Sequence, residues 1–141
     1  MTKAGLADFY GAYIACLNAQ DWQRLGDFVA EDAYHNGQMF GLSGYRAMLE
    51  NDFVQILDLH FSVALLICDP PHIAVRLQFD CSPKGNFLGL PIDGRRVSFT
   101  ENVFYELREG KIWQVWSVTD KAAIEAQLSL TSAANLPPIS A

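Results

Sequence analysis

The chain has 141 residues, half of them hydrophobic and 12% aromatic, with a formal net charge of −6. That length fits one domain with a sizeable core, and the apolar content excludes a disordered chain. The acidic balance, with Arg95-Arg96 as the one locally basic pair, excludes nucleic acid and an anionic membrane surface as partners, because both need clustered Lys and Arg.

Leu6, Phe9, Tyr10, Tyr13, Ile14 and Leu17 recur at helical spacing and predict a first helix from Lys3 to Ala19. Asp21 is placed to cap a short second helix whose apolar face is Trp22, Leu25, Phe28 and Val29. Glu31 to Asn36 reads as a short extended segment, and Gly37, Gly41 and Gly44 mark the next stretch as a loop. Ser43 is the expected N-cap of a third helix carrying Tyr45, Met48, Leu49, Phe53, Ile56 and Leu57. After Asp58 the period changes to two: Leu59, Phe61, Val63, Leu65 and Ile67 alternate as strands do.

Asp69-Pro70-Pro71-His72 predicts a turn. The next strand alternates Ile73, Val75, Leu77, Phe79 and Cys81 with Ala74, Arg76, Gln78 and Asp80. Ser82 to Gly94 is a Gly- and Pro-containing excursion. Val97 to Leu107 and Lys111 to Thr119 are the last two strands, joined at Glu109-Gly110. Asp120 opens a final helix with Ala122, Ala123, Ile124 and Leu128. Residues 1–130 form a single domain, and 131–141 are expected to be a loosely ordered tail.

Three widely spaced cysteines, Cys16, Cys68 and Cys81, lack any C-x-x-C pairing, and no apolar leader follows Met1. This pattern fits a reducing cytoplasm with buried thiols and gives no support to a metal site. Phosphate and dinucleotide motifs are absent too. Helices followed by a consecutive meander predict an α+β fold, a cone-shaped curved antiparallel sheet packed against the N-terminal helices. The open mouth of such a cone is the expected place for a small-molecule pocket.

The candidate chemistry centres on Asp120, at the end of a strand with two tryptophans. It reads as a general acid or base desolvated by Trp116 and Val118, or as the N-cap of the last helix. His35 reads as a group that polarises a substrate carbonyl or holds Asp120, or as a structural histidine. Asn36 offers an amide to a substrate oxygen, or starts a turn with Gly37. Tyr13, Tyr45, Trp116, Phe87 and Leu90 are candidate pocket wall, with Phe87 and Leu90 on the excursion. Arg76, Gln78, Asp80 and Glu101 are either a solvated sheet face or a polar lining of the cone.

These elements, with Gly-Leu-Ser-Gly-Tyr-Arg at 41–46, Phe-Leu-Gly-Leu-Pro at 87–91, Asp93-Gly94-Arg95, Glu109-Gly110-Lys111-Ile112, Trp116 through Asp120 and Asp32-Ala33-Tyr34-His35, resemble the SnoaL-like polyketide cyclases of the nuclear-transport-factor-2-like superfamily. The resemblance covers roughly residues 4–128. It implies a cone that pairs through its outer sheet face as a homodimer, and a reaction without metal or organic cofactor. It implies that Asp120 is the acid/base of an aldol cyclisation or related isomerisation of a small apolar carbonyl compound, with His35 in the pocket. One departure stands out: a His that many relatives carry before the Phe-Leu-Gly-Leu-Pro segment has no counterpart in Cys81-Ser82-Pro83-Lys84-Gly85. The alternatives are a binding domain without turnover, and an epoxide hydrolase if Arg76, Gln78, Asp80 and Glu101 converge inward.

Overall fold

The computed structural model describes residues 1–134, with side chains to residue 130. Helix α1 (Lys3–Asn18) starts where the Thr2 hydroxyl accepts the Gly5 amide at 2.9 Å. Its face of Leu6, Tyr10, Tyr13, Ile14 and Leu17 is buried. At its end the Asn18 amide brackets the Phe61 backbone, accepting from the N–H at 2.8 Å and donating to the carbonyl at 3.0 Å. That pair ties the first helix to the start of the sheet. The short second helix is 3-10 (Trp22–Asp27), and the Asp21 side chain makes no cap bond there.

Strand β1 (Val29–His35) turns through Asn36-Gly37 into the two-residue β2 (Gln38–Met39). Helix α2 (Gly41–Gln55) follows at once. The glycine loop is thus shorter than its sequence suggests, and Ser43 lies inside the helix instead of capping it. Gly41 makes the sharp entry at φ +68°, and a Cβ there would sit 3.1 Å from the Glu31 carbonyl oxygen.

The sheet continues with β3 (Ser62–Asp69), β4 (His72–Cys81), the small hairpin β5 (Asn86–Phe87) and β6 (Leu90–Pro91), then β7 (Val97–Arg108) and β8 (Lys111–Thr119). Its order is β2-β1-β8-β7-β4-β3. Pairings are antiparallel except β1 with β8. Glu109 and Gly110, at φ +53° and +74°, make the two-residue turn of the β7–β8 hairpin, as predicted. Helix α3 (Lys121–Ala134) packs on β7. It carries the chain four residues beyond the expected domain end, and the rest of the anticipated tail lies outside the described residues.

One face of the sheet closes on α1 and α2. Ile73, Val75, Leu77, Phe79 and Cys81 are all buried there, as their alternation predicts. Two irregularities decide what faces where. On β8, Glu106 opposes Gln114 while the next residue, Leu107, opposes Ile112, so Trp113 is an extra residue. Such a bulge flips the side-chain parity of everything beyond it. Val115, Ser117 and Thr119 therefore turn inward, and Trp116, Val118 and Asp120 outward. On β3 a second bulge after Val63 leaves Leu65 and Ile67 on the outer face. Among the described residues no helix is long and apolar enough to cross a membrane.

Candidate functional site

The inner face of the sheet and the two long helices enclose a half-open cavity of about 250 Å³. Its walls are mostly apolar. Leu17, Met48 and Leu49 come from the helices, Ile56 from just past the end of α2, and Leu77, Phe79, Phe99, Val103 and Val115 from the sheet. Phe61, Phe87 and Leu88 stand around them. Phe87 reaches in from the β5–β6 hairpin and packs on Phe99, with ring centroids 5.5 Å apart. Arg95 holds that hairpin by donating to the carbonyls of Ile92 and Pro91.

Seven polar side chains enter this apolar space: Tyr13, His35, Tyr45, Asp52, Glu101, Tyr105 and Ser117, with Thr119 at the edge. Glu101 stands on β7 between the buried Phe99 and Val103, so the alternation that buries those residues also turns its carboxyl inward. Burial pushes its pKa up, and a hydrogen bond from Ser117 partly opposes that shift. Asp52 lies on the face of α2 that carries Tyr45, Met48 and Leu49. Desolvation, and then the Glu101 charge, push its carboxyl up to about 6. The two acids line one cavity, and a charge on Glu101 makes ionising Asp52 harder.

His35 ends β1 beside Val115 of β8. Its ring stacks on Phe40 at 5.4 Å and meets Tyr45 edge-on at 6.5 Å. Burial lowers its pKa and favours the neutral imidazole. Tyr13 and Tyr45 are almost fully buried and share a hydroxyl–hydroxyl bond of 2.6 Å. Behind them, Tyr10 and Tyr105 share another at 3.0 Å.

The structure therefore brings together Tyr13, His35, Tyr45, Phe87 and Glu101 of the sequence-predicted set. It places four others elsewhere. Asp120 is exposed, does not line the cavity, and accepts the Ala123 amide at 3.1 Å as the N-cap of α3. The Trp113 bulge is the physical reason, since it turns Asp120 outward with Trp116 and Val118. Trp116 is 40% exposed on the outer sheet face. Asn36 spends its amide on the Ser117 backbone, accepting at 2.8 Å and donating at 3.3 Å, and so extends the β1–β8 ladder. Leu90 packs against the core without reaching the cavity, and Leu88 takes the place expected of it. Arg76, Gln78 and Asp80 point away from the core, Asp80 into a two-pronged pair with Arg96 at 2.8 and 2.9 Å. The inward convergence that an epoxide hydrolase requires is thus reduced to Glu101.

Asp52 was not anticipated from the sequence. Its signal was there: a carboxylate at i+7 from Tyr45 on an otherwise apolar helix stripe. Among the described residues no three His, Cys, Asp or Glu side chains cluster as metal ligands would.

A family model described as SnoaL-like polyketide cyclase matches residues 7–128. A SnoaL-like polyketide cyclase from Agrobacterium tumefaciens str. C58 has a crystal structure similar to this chain, with 52% identity and a TM-score of 0.87, covering 91% of this chain and 99% of its own. TsrD from Streptomyces laurentii shares the fold at 22% identity and a TM-score of 0.79, covering 91% and 97%. IdmH from Streptomyces antibioticus does so at 20% and 0.74, covering 87% and 97%. No curated protein matches the chain significantly.

Proposed function

The chain belongs to the SnoaL-like polyketide cyclase family, and from that membership and its cavity we propose a cofactor-independent acid/base enzyme acting on a small apolar carbonyl compound. The reaction is an aldol cyclisation or a related proton-transfer isomerisation. One observation carries the proposal: Glu101 and Asp52 share an apolar cavity, both with raised pKa. A carboxylate kept from water is a stronger base toward a C–H bond than one in solvent. Glu101 is the proposed base, because it sits among buried sheet residues with its carboxyl turned into the cavity. Asp52, its pKa pushed up to about 6, is suited to return a proton, and His35, kept neutral by burial and edge-on to Tyr45, to face a second substrate oxygen. The surface position of Asp120 supports a capping role for it.

A test needs no knowledge of the natural substrate. Ring opening of 5-nitrobenzisoxazole is a one-proton abstraction that responds to a desolvated carboxylate. The wild type is expected to open it with a rate that rises through a carboxylate ionisation. Glu101→Gln is expected to lose about 10² or more of that rate, the usual worth of a general base. A Glu101→Gln protein as active as the wild type would remove Glu101 as the base, and a wild type that opens no ring would leave the non-catalytic reading, a domain that binds an apolar metabolite without turnover.

A second copy of the chain is the proposed partner. Ile67, Ala74, Phe104 and Trp116 fall in one register row across β3, β4, β7 and β8 on the outer face. Phe104 is 59% exposed and neighbouring Val118 72%. An apolar row of this kind is a surface that association covers. Sedimentation should report a dimer, and Phe104→Glu a monomer.

A further inference from the structure

We propose that the Tyr13–Tyr45 hydroxyl pair is the binding site for the carbonyl oxygen of a neutral, flat ketone of one or two rings. The inference rests on the acid/base reading above and gives that site its substrate class.

The hydroxyl protons of this pair do not all find acceptors among the described residues. A tyrosine hydroxyl has one proton to donate and lone pairs to accept. In the 2.6 Å pair one hydroxyl donates to the other, and the proton of the accepting hydroxyl is left over. Neither hydroxyl has another partner among the described residues. Both tyrosines are almost fully buried, and both line the cavity. A buried donor without an acceptor is costly, and a ligand oxygen is the group that resolves it.

The surroundings choose the acceptor. Glu101 and Asp52 line the same space and repel an anion once ionised, which excludes carboxylates and phosphates. The acceptor is therefore neutral, and a carbonyl oxygen has the lone pairs and no proton of its own to place. Phe61, Phe79, Phe87 and Phe99 supply aromatic faces for a flat ring. A volume of about 250 Å³ falls below that of drug-sized sites and seats one or two rings, with the open side left for any substituent. With the carbonyl on the tyrosines, Glu101 takes the proton from the adjacent carbon. The C–H electron pair becomes the new C=C bond and the C=O π pair moves onto the oxygen, where the spare O–H stabilises the enolate.

The test uses 2-tetralone labelled with ¹³C at its carbonyl and infrared difference spectra at about pH 9, above the range in which Asp52 titrates. In the wild type the bound carbonyl stretch is expected to lie below its position in hexane. In the Tyr13→Phe/Tyr45→Phe double variant it should return toward the hexane position, with affinity about tenfold weaker, the worth of one hydrogen bond. Tyr10→Phe, behind the cavity wall, should keep the lowered stretch. A hexane-like stretch in the wild type, no binding by the wild type, or a lowered stretch that survives in the double variant would each overturn the proposal. The outcome separates from that of the acid/base reading. Glu101-dependent ring opening of 5-nitrobenzisoxazole without the lowered stretch removes only the tyrosine site. The lowered stretch without that ring opening removes only the base.

Discussion

Replacing Asp52 by Asn should stabilise the protein, and only at higher pH. Burial and the Glu101 charge push the carboxyl from its ordinary 3.8 up to about 6 in the fold. Between those values the folded chain keeps a proton that the unfolded chain has already released, so stability falls as pH rises through the window. Above it the full penalty stands: a shift of about two units at 1.36 kcal/mol each is about 3 kcal/mol. Asn cannot ionise, has nearly the same shape, and removes the penalty. Urea unfolding should therefore show Asp52→Asn more stable than wild type by about 2–3 kcal/mol near pH 8, and nearly equal to it near pH 3. Part of the penalty is the Glu101 charge, so Glu101→Gln should recover that part and move the Asp52 titration downward. A variant no more stable than wild type near pH 8 would refute the claim that this carboxylate is held out of water. A gain equal at both pH values would refute the electrostatic cause.

Other outcomes follow from the same geometry. Phe104→Glu sets a charge in the apolar row of the outer sheet and should halve the sedimenting mass while leaving the far-ultraviolet dichroism unchanged; a persistent dimer would place the interface elsewhere. Ile73→Ala removes a fully buried side chain and should cost about 2–5 kcal/mol in urea unfolding, and a cost below 1 would contradict close packing there. A thiol reagent should label the half-buried Cys68 in the native protein before Cys16 and Cys81. The Cys81 thiol is pushed up to about 11 by burial, so native labelling led by Cys81 would contradict its placement.

Much of the fold was legible because periodicity reports burial directly. The alternation from Ile73 to Cys81, the face of α1 and the Glu109-Gly110 turn each follow from local rules that the tertiary structure leaves intact. The site was legible only in part. Tyr13, Tyr45, His35, Phe87 and Glu101 stood on the right elements. The pocket readings of Asp120 and Trp116 assumed an unbroken strand, but one extra residue, Trp113, reverses its parity and leaves Asp120 as the N-cap the sequence also offered; a strand pattern does not announce a bulge. Glu101 and Asp52 carry one shared signal, a carboxylate interrupting an apolar face, on β7 at period two and on α2 at helical period. Asn36 shows the opposite case, in which a side chain typical of a binding site completes a ladder that only the folded sheet creates.

The central claim is that the working carboxylate lies inside the cavity on β7 and not at the end of β8. Ring opening of 5-nitrobenzisoxazole by Glu101→Gln and Asp120→Asn, assayed side by side, tests it directly. Asn caps a helix as well as Asp does, so the second change leaves α3 in place. The expected result is a loss of about 10² or more for Glu101→Gln and a wild-type rate for Asp120→Asn. The reverse result, activity lost with Asp120 and kept without Glu101, would contradict the account.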